Sequence, residues 1–429
     1  MERVRRWLDR LSFLGVSSGV FAWGFLQGNA VLGTVRFEFA FVVLVVVLLQ
    51  AVISSLMFAG FVGVSGIAFL HALLRRSGPQ PVYSGDSVTA IVPVYGDATV
   101  LDRSVESLLA SEYEDLEVLI VCEEDDRPSI DRAKALSTRD RVSYLVNTRD
   151  PGSKAGAIND AVAATDSEHV AVFDADEEVD PAFVPKAVAR LDECDVVQGR
   201  TVPQPEGFVE ELAYYESVLL SYVSRRLLYV FTDFRMAASR AVVMRRSAIE
   251  TTGGYDADML TEDFDFAYRC YKDRLDVEEQ LGHPSKIEAA HSLRDWWGQR
   301  KRWMTGYAQV LHKLVATVRP IRDVRNLTSA AICTGTVVGS LLLLTVLSKF
   351  VVLFLVGMEA MFVFPLLVVI GVTAAVRVHD WRSGAVDRLG WAWLVVPVIV
   401  PLYSLTAIKA VVEYCYGWDG DWYSVEKGA

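Results

Sequence analysis

Three carboxylates and one basic, aromatic cluster carry the chemistry this sequence can perform. Asp174 and Asp176 close the run Ala171-Val172-Phe173-Asp174-Ala175-Asp176, an apolar stretch that passes directly into two acids two residues apart. Residues so spaced on a strand point to one side, and paired hard oxygen donors suit Mg2+ or Mn2+ bridging a diphosphate. Asp-x-Asp also serves as an ordinary loop or cap; the buried strand before it distinguishes this one. Thr261-Glu262-Asp263 precedes the amphipathic run Phe264 to Tyr271. It reads as a helix start, with Thr261 capping and the acids favouring the dipole. Taken alone, that reading prevails; a carboxylate at such a position, Glu262 or Asp263, can also take a proton from an attacking hydroxyl at the mouth of a cleft. In Gln299-Arg300-Lys301-Arg302-Trp303, helical spacing puts Gln299, Arg302 and Trp303 on one face and Arg300 to its side. Guanidinium forks bind diphosphate oxygens and Trp offers an apolar face to a sugar ring, although a basic, Trp-anchored interfacial helix has the same composition.

Weaker features accompany these. Pro93-Val94-Tyr95-Gly96 offers a ring to stack on a base, or is a plain Pro-Gly turn. Glu123-Glu124-Asp125-Asp126 can bond a base or ribose, or is a solvated charge run. Gly152-Ser153-Lys154-Ala155-Gly156 opens a helix with a lysine available for phosphate but lacks P-loop spacing.

These residues need a sheet to position them. Short β-branched runs predict strands at Val88 to Val92, Glu117 to Val121, Arg141 to Val146 and His169 to Phe173. Helical patterns fall between them at Val100 to Ala110, Ile130 to Ser137 and Ala155 to Ala164. Alternation of this kind implies an α/β, doubly wound, mostly parallel sheet with ligands at the carboxyl ends of its strands, where the carboxylates lie.

The chain has 429 residues, 52% of them hydrophobic, and the apolar residues concentrate at 11–74 and 327–413. A helix needs about 20 apolar residues to cross the hydrocarbon core. Spans are therefore expected at 11–33, 39–74, 327–348 and about 350–376, with a turn around Thr34 to Glu38. The segment 390–413 carries Pro397, Pro401, Lys409 and Glu413 and either crosses or lies in the interface. Leu293 to Thr317 suits interfacial helices. Arginines near Met1, Arg75 and Arg76, and the three in the expected loop Arg377 to Arg388 place the central block in the cytoplasm by the positive-inside rule. The divisions are 1–76, 77–292, 293–326 and 327–429. A net charge of -12 disfavours nucleic acid as a partner. Five scattered cysteines show no zinc spacing and read as buried thiols.

Val-Pro-x-Tyr at 92–95, Lys-Ala-Gly-x-x-Asn at 154–159, Asp-x-Asp, Gly-Gly-Tyr followed by Thr-Glu-Asp, and Gln-x-x-Arg-Trp occur in this order. In that order they resemble the membrane-integrated family 2 glycosyltransferases, the group of hyaluronan, cellulose and poly-N-acetylglucosamine synthases. The resemblance covers roughly residues 88 to 305 and the flanking helices. It implies a GT-A fold and inverting transfer from a nucleotide sugar, with UDP expected, to a growing polysaccharide, with possible export. Single transfer to a polyprenyl-phosphate or other lipid-linked acceptor is the alternative, and a non-catalytic nucleotide-sugar sensor a third. The resemblance further implies that Pro93, Tyr95 and Glu123 or Glu124 hold the base, and that Lys154 and Asp174 bind the nucleotide sugar. Asp176, with Asp174, would hold the metal, and Asp263, beside Glu262, would deprotonate the acceptor. Gln299, Arg302 and Trp303 would close over diphosphate and acceptor with Arg300 assisting, and Gln198 would sit near the acceptor. Relatives have a Gly-rich acceptor segment where this chain reads Ala237-Ala238-Ser239-Arg240-Ala241.

Overall fold

The computed structural model describes residues 2–29, 38–75, 78–317 and 323–417. Helices α1 (Glu2–Asn29) and α2 (Glu38–Leu74) come first; the turn expected before Glu38 and the tail after residue 417 lie outside the described residues. The central block follows as β1 (Val88–Val94), α3 (Leu101–Leu109), β2 (Leu116–Glu123), α4 (Arg127–Leu136), β3 (Val142–Asn147), α5 (Lys154–Ala164) and β4 (His169–Val172). It continues with α6 (Phe183–Leu191), β5 (Val196–Pro203), α7 (Phe208–Glu216), a π-helical turn (Ser217–Val223), α8 (Ser224–Thr232), β6 (Val242–Arg245), α9 (Arg246–Thr252), α10 (Glu262–Lys272) and β7 (Val277–Ile287). Last come α11 (Leu293–Thr317), α12 (Val324–Leu355), α13 (Glu359–Ser383), a 3-10 turn (Ala392–Val398) and α14 (Ile399–Cys415).

The seven strands form one sheet in the order β3-β2-β1-β4-β6-β5-β7. β6 alone runs antiparallel to its neighbours. The sheet carries two apolar layers. One packs Ile91, Val121, Val170 and Val172 against α5, α10 and Met244; the other packs Ala90, Val92, Ile120 and Phe173 against α3 and α6. Local chemistry sets the helix starts: the Ser153 hydroxyl accepts the Gly156 N–H at 3.0 Å to cap α5. Asp126 caps α4 through Ser129 N–H and also accepts the Gly96 N–H at 2.6 Å, which ties the ends of β1 and β2 together.

Four helical stretches among the described residues are long and apolar enough to cross a membrane: Val45–Leu74, Val324–Leu355, Glu359–Ser383 and Val396–Cys415. Their outward faces are apolar, with Leu49, Ile53, Met57, Ile67, Leu342, Phe354 and Leu367 exposed, which is the surface hydrocarbon requires. The segment from 390 therefore holds a fourth such helix, preceded by the 3-10 turn around Pro397. Leu293 to Thr317 is one helix of 25 residues rather than several. Arg377, expected in a loop, lies within α13 and is buried. Its guanidinium sits over the Tyr214 ring at 4.6 Å, and its Nε donates to the Leu389 carbonyl at 3.0 Å.

The helical bundle is fastened to the sheet by a buried ion pair. Arg200 of β5 donates two hydrogen bonds to Asp380 of α13, at 2.7 and 2.6 Å, and the Tyr214 hydroxyl donates a third at 2.6 Å. The Arg200 guanidinium lies 5.6 Å from the Phe69 ring on α2 and 5.5 Å from the Tyr222 ring, which are stacked on one another. Removing one partner of such a pair strands a desolvated charge. Asp380→Ala is expected to destabilise the protein by about 3–5 kcal/mol, read as a lower melting temperature in detergent. An unchanged melting temperature would refute the fastening role.

Candidate active site

The antiparallel entry of β6 creates the site. Val172 pairs with Val242, so the chain leaving β4 runs past the chain entering β6, and Asp174 and Arg240 stand across from one another. Arg240 Nη1 lies 4.0 Å from Asp174 Oδ2. Lys154, the first residue of α5, reaches the other oxygen at 2.5 Å. Asp176 is buried, and its Oδ2 accepts the Glu288 N–H at 3.2 Å.

Glu177 braces this turn. Its carboxylate is wholly buried and accepts the Asp174 N–H at 3.0 Å and the Ala241 N–H at 3.3 Å. Gln198 of β5 braces the same segment. It donates to the carbonyls of Gly199, Arg240 and Ala241 and accepts the Ala238 N–H at 2.5 Å. From the far side the Tyr255 hydroxyl donates to the Ala238 carbonyl at 3.0 Å and the Ser239 hydroxyl to Glu262 Oε1 at 2.8 Å. Residues 238–241 therefore join Asp-x-Asp to Thr-Glu-Asp as a strut. Tyr255 is itself held by Asn159, whose amide exchanges bonds of 2.7 and 2.9 Å with the Tyr255 carbonyl and N–H.

α11 is latched to the same loop. A Cβ on Gly306 would come within 2.5 Å of Thr261, so only glycine lets the helix approach that closely. Gln309 accepts the Leu260 N–H at 3.1 Å, and Lys313 bridges Asp256 and Asp265 at 2.6 and 2.7 Å. Arg302 thereby faces the acids. Burial pulls its guanidinium below the ordinary arginine range, while Glu262, Asp263 and Asp174 oppose that pull and Arg240 adds to it. Burial likewise works against the charge on Arg240, yet Asp174 and then Asp263 outweigh it and its pKa rises. Asp263 is half-buried, its Oδ1 accepting the following N–H at 2.8 Å.

Asp174, Lys154, Asp263 and Arg302 thus converge. Tyr95 is exposed, 3.5 Å from Asp125, and Pro93 and Glu124 lie at the same end of β1 and β2. Other expected site residues have their polar atoms engaged by the scaffold. Glu123 is buried and accepts from Asn147 and Gly152 N–H, both at 2.8 Å, so of the two glutamates Glu124 is the accessible one. Gln198 holds backbone. Glu262 is buried on Ser239, and burial, followed by the charge of Asp263, raises its pKa. Arg300 is paired with Glu216 at 2.7 Å and stacked between Trp296 and Trp303, so its charge is neutralised away from Asp263. Gln299 is half-buried and bonded to Arg300; Trp303 is half-buried beneath the same guanidinium. Glu177 was not singled out from sequence, and Arg240, Ser239 and Tyr255 stood there only within quoted segments, with no role assigned. An arginine two residues before a short β-branched run was the available signal for Arg240.

The described residues hold no cluster of three or more metal-ligating side chains. The two acids of Asp-x-Asp nonetheless fit a hard cation of the kind that takes one or two carboxylates and completes its shell with water and substrate phosphate.

Residues 89–253 match the family described as Glycosyl transferase family 2. This part of the chain is a family 2 glycosyltransferase domain. Relatives include glucomannan 4-beta-mannosyltransferase 7 of Arabidopsis thaliana, 23% identical over 63% of this chain and 54% of that protein. Beta-monoglucosyldiacylglycerol synthase of Trichormus variabilis is 24% identical over 57% of this chain and 54% of its own length. Poly-beta-1,6-N-acetyl-D-glucosamine synthase of Staphylococcus epidermidis is 20% identical over 57% and 59%. The chain thus spans a little over half the length of these curated relatives. Among solved structures, a mannosyltransferase from Pyrobaculum calidifontis in complex with GDP-Man and Mn2+ superposes with a TM-score of 0.54 at 16% identity, covering 86% of this chain and 99% of that one. That likeness establishes the GT-A fold of the glycosyltransferase domain.

Glu177 supplies a test of the strut. Burial, then the charge of Asp174, pushes its carboxyl from 4.5 up to about 8. The folded state therefore keeps a proton that the unfolded chain releases, and this contribution to stability is lost as pH rises from 4.5 through about 8. Glu177→Gln, which keeps an oxygen acceptor, is expected to flatten the melting temperature across that window. A variant whose pH profile overlays the wild type would refute it.

Proposed function

We propose that the enzyme performs inverting transfer of a sugar from a nucleotide sugar, with UDP as the expected nucleotide, to a growing polysaccharide at the cytoplasmic face of the plasma membrane. Asp263 serves as the general base for the acceptor hydroxyl. Lys154 and Asp174 orient the donor, with Tyr95, Pro93 and Glu124 at the base. Arg302, carried on α11, stabilises charge on the departing diphosphate. A bound Mg2+ or Mn2+ at Asp174 and Asp176 would neutralise part of the same charge.

The observation that carries this reading is that Asp174, 4.0 Å from Arg240, and Asp263, from a separate motif, both act electrostatically on Arg240 and Arg302. A donor site and an acceptor base thus open on one cleft, as in-line displacement requires. Gln299 and Trp303 stand beside Arg302 and are assigned to the acceptor. The divisions 1–76, 77–292, 293–326 and 327–429 serve this reading as membrane region, catalytic domain, amphipathic interface segment with the Gln-x-x-Arg-Trp motif, and further membrane helices with the tail. A second reading, transfer to a lipid-linked acceptor, is favoured by Arg225 and Arg240, which make no hydrogen bond through their side chains among the described residues.

Incubating the purified protein with a panel of nucleotide sugars, with and without Mg2+ or Mn2+, and measuring nucleoside diphosphate release tests the donor and metal assignments. Asp263→Asn is expected to lower turnover about 10²–10⁴-fold, the usual worth of a positioned base, while UDP still binds. Full activity in that variant would remove Asp263 from the mechanism.

A further inference from the structure

The Gln-x-x-Arg-Trp face is organised by a residue outside it. Arg300 donates to Gln299, and its guanidinium lies 4.7 Å from the Trp303 ring and 5.1 Å from the Trp296 ring, within the reach of a cation held over an indole. One carboxylate holds that guanidinium. Glu216, the last residue of α7, pairs with Arg300 Nη2 at 2.7 Å, accepts from its Nε at 2.8 and 3.0 Å, and accepts from Trp296 Nε1 at 2.7 Å. The Glu216 and Arg300 side chains are 4% and 5% exposed, so the pair is desolvated and its forked geometry fixes the guanidinium plane.

α7 is itself fixed at several points. Tyr214 in the same helix donates to Asp380 of α13 at 2.6 Å, and Glu211 accepts the Ala392 N–H at 3.1 Å. Directly after Glu216 the helix widens into the π-helical turn, a rare geometry that often marks functional sites. Tyr222 in that turn is bonded to both backbone groups of Thr201 on β5, at 2.9 and 3.2 Å. Glu216 therefore refers the Trp303 ring to the sheet and to α13, through a guanidinium that could otherwise turn toward a diphosphate. A ring that receives a sugar has to keep its face at a set angle, and such precision comes from the residues that support it.

We propose that Glu216 is a positioning residue for the transfer. Acting through Arg300, it fixes Trp303 and Gln299 as the platform on which the acceptor lies, and it keeps the Arg300 charge out of the diphosphate site left to Arg302. The inference rests on the assignment of Gln299 and Trp303 to the acceptor in the reaction proposed above.

The test uses the full chain in neutral detergent with a radiolabelled nucleotide sugar that it turns over, and follows both nucleoside diphosphate released and label carried into product. Glu216→Gln, which keeps an acceptor oxygen and removes the charge, is expected to lower incorporation about 10–100-fold, the scale of a misplaced reactant, while UDP affinity holds and the share of donor lost to water rises. Glu216→Asp keeps the charge and regains part of the incorporation. Because Glu216 acts through Arg300, the double variant Glu216→Gln/Arg300→Gln loses no more than Arg300→Gln alone. The double variant strands no buried charge, so it serves where a single one fails to fold, as melting temperatures will show. The tryptophan emission lost on Trp303→Phe, measured with and without Glu216→Gln, reports whether that ring has changed surroundings. Wild-type incorporation in Glu216→Gln overturns the positioning role, as does a loss shared equally by incorporation and hydrolysis, or losses that add in the double variant. A chain that turns over no nucleotide sugar refutes the transferase reading instead. There the Trp303 emission decides: an altered spectrum sustains the linkage from Glu216 through Arg300 to Trp303, and an unchanged one overturns it.

Discussion

Glu177 is wholly buried, and one of its oxygens accepts N–H groups from two different segments, Asp174 after β4 and Ala241 before β6. Leaving either donor unpaired in the core would cost about 1–3 kcal/mol, so the two segments are locked in register. That register places Arg240 opposite Asp174. The same strut then carries Ser239 to Glu262 and Ala238 to Tyr255, which sets the Thr-Glu-Asp turn at a fixed distance from Asp174 and Asp176. Neutralising Glu177 is the cheaper solution to its burial, because the charged form would sit beside Asp174 with few compensating donors. The separation between Asp174 and the Thr-Glu-Asp turn is thus set by core hydrogen bonds.

The membrane helices enter the site through α11. Lys301 pairs with Glu413 of α14 at 2.9 Å, while Lys313, Gln309 and Gly306 fix the other side of the helix to residues 254–265. Arg302 stands between these attachments. A shift of α14 would therefore move a cation relative to Asp263. Arg200 and Asp380 tie β5 to α13 independently of α11.

Much of this was legible in the chain. β1 to β4 and α3 to α5 fall within about three residues of their expected limits, because β-branched runs bounded by Gly, Pro and Asp admit few alternatives. β5 to β7 were not foreseen. β6 has four residues, β5 holds Gln198, Gly199 and Arg200, and β7 contains Gly282 and Pro284; their sheet neighbours, not their composition, make them strands. Asp174, Lys154, Asp263 and Arg302 could be named because motif spacing marks them. Glu123, Gln198 and Arg300 could not be separated from them in sequence. An acid, an amide or a guanidinium looks the same whether it meets substrate or a buried backbone group, and only the partners across the fold decide.

That ambiguity is plainest among the arginines. Arg300 and Arg302 sit two residues apart on one helix, and Glu216 captures the first while the second turns to Asp263. Arg225 and Arg226 are adjacent, and Glu279 captures only the latter. Selective pairing with neighbouring acids thus separates adjacent arginines that look alike in the sequence. An acid-rich chain can readily supply a carboxylate to any arginine. Which arginine is captured is therefore set by where those carboxylates stand, Glu216 for Arg300 and Glu279 for Arg226.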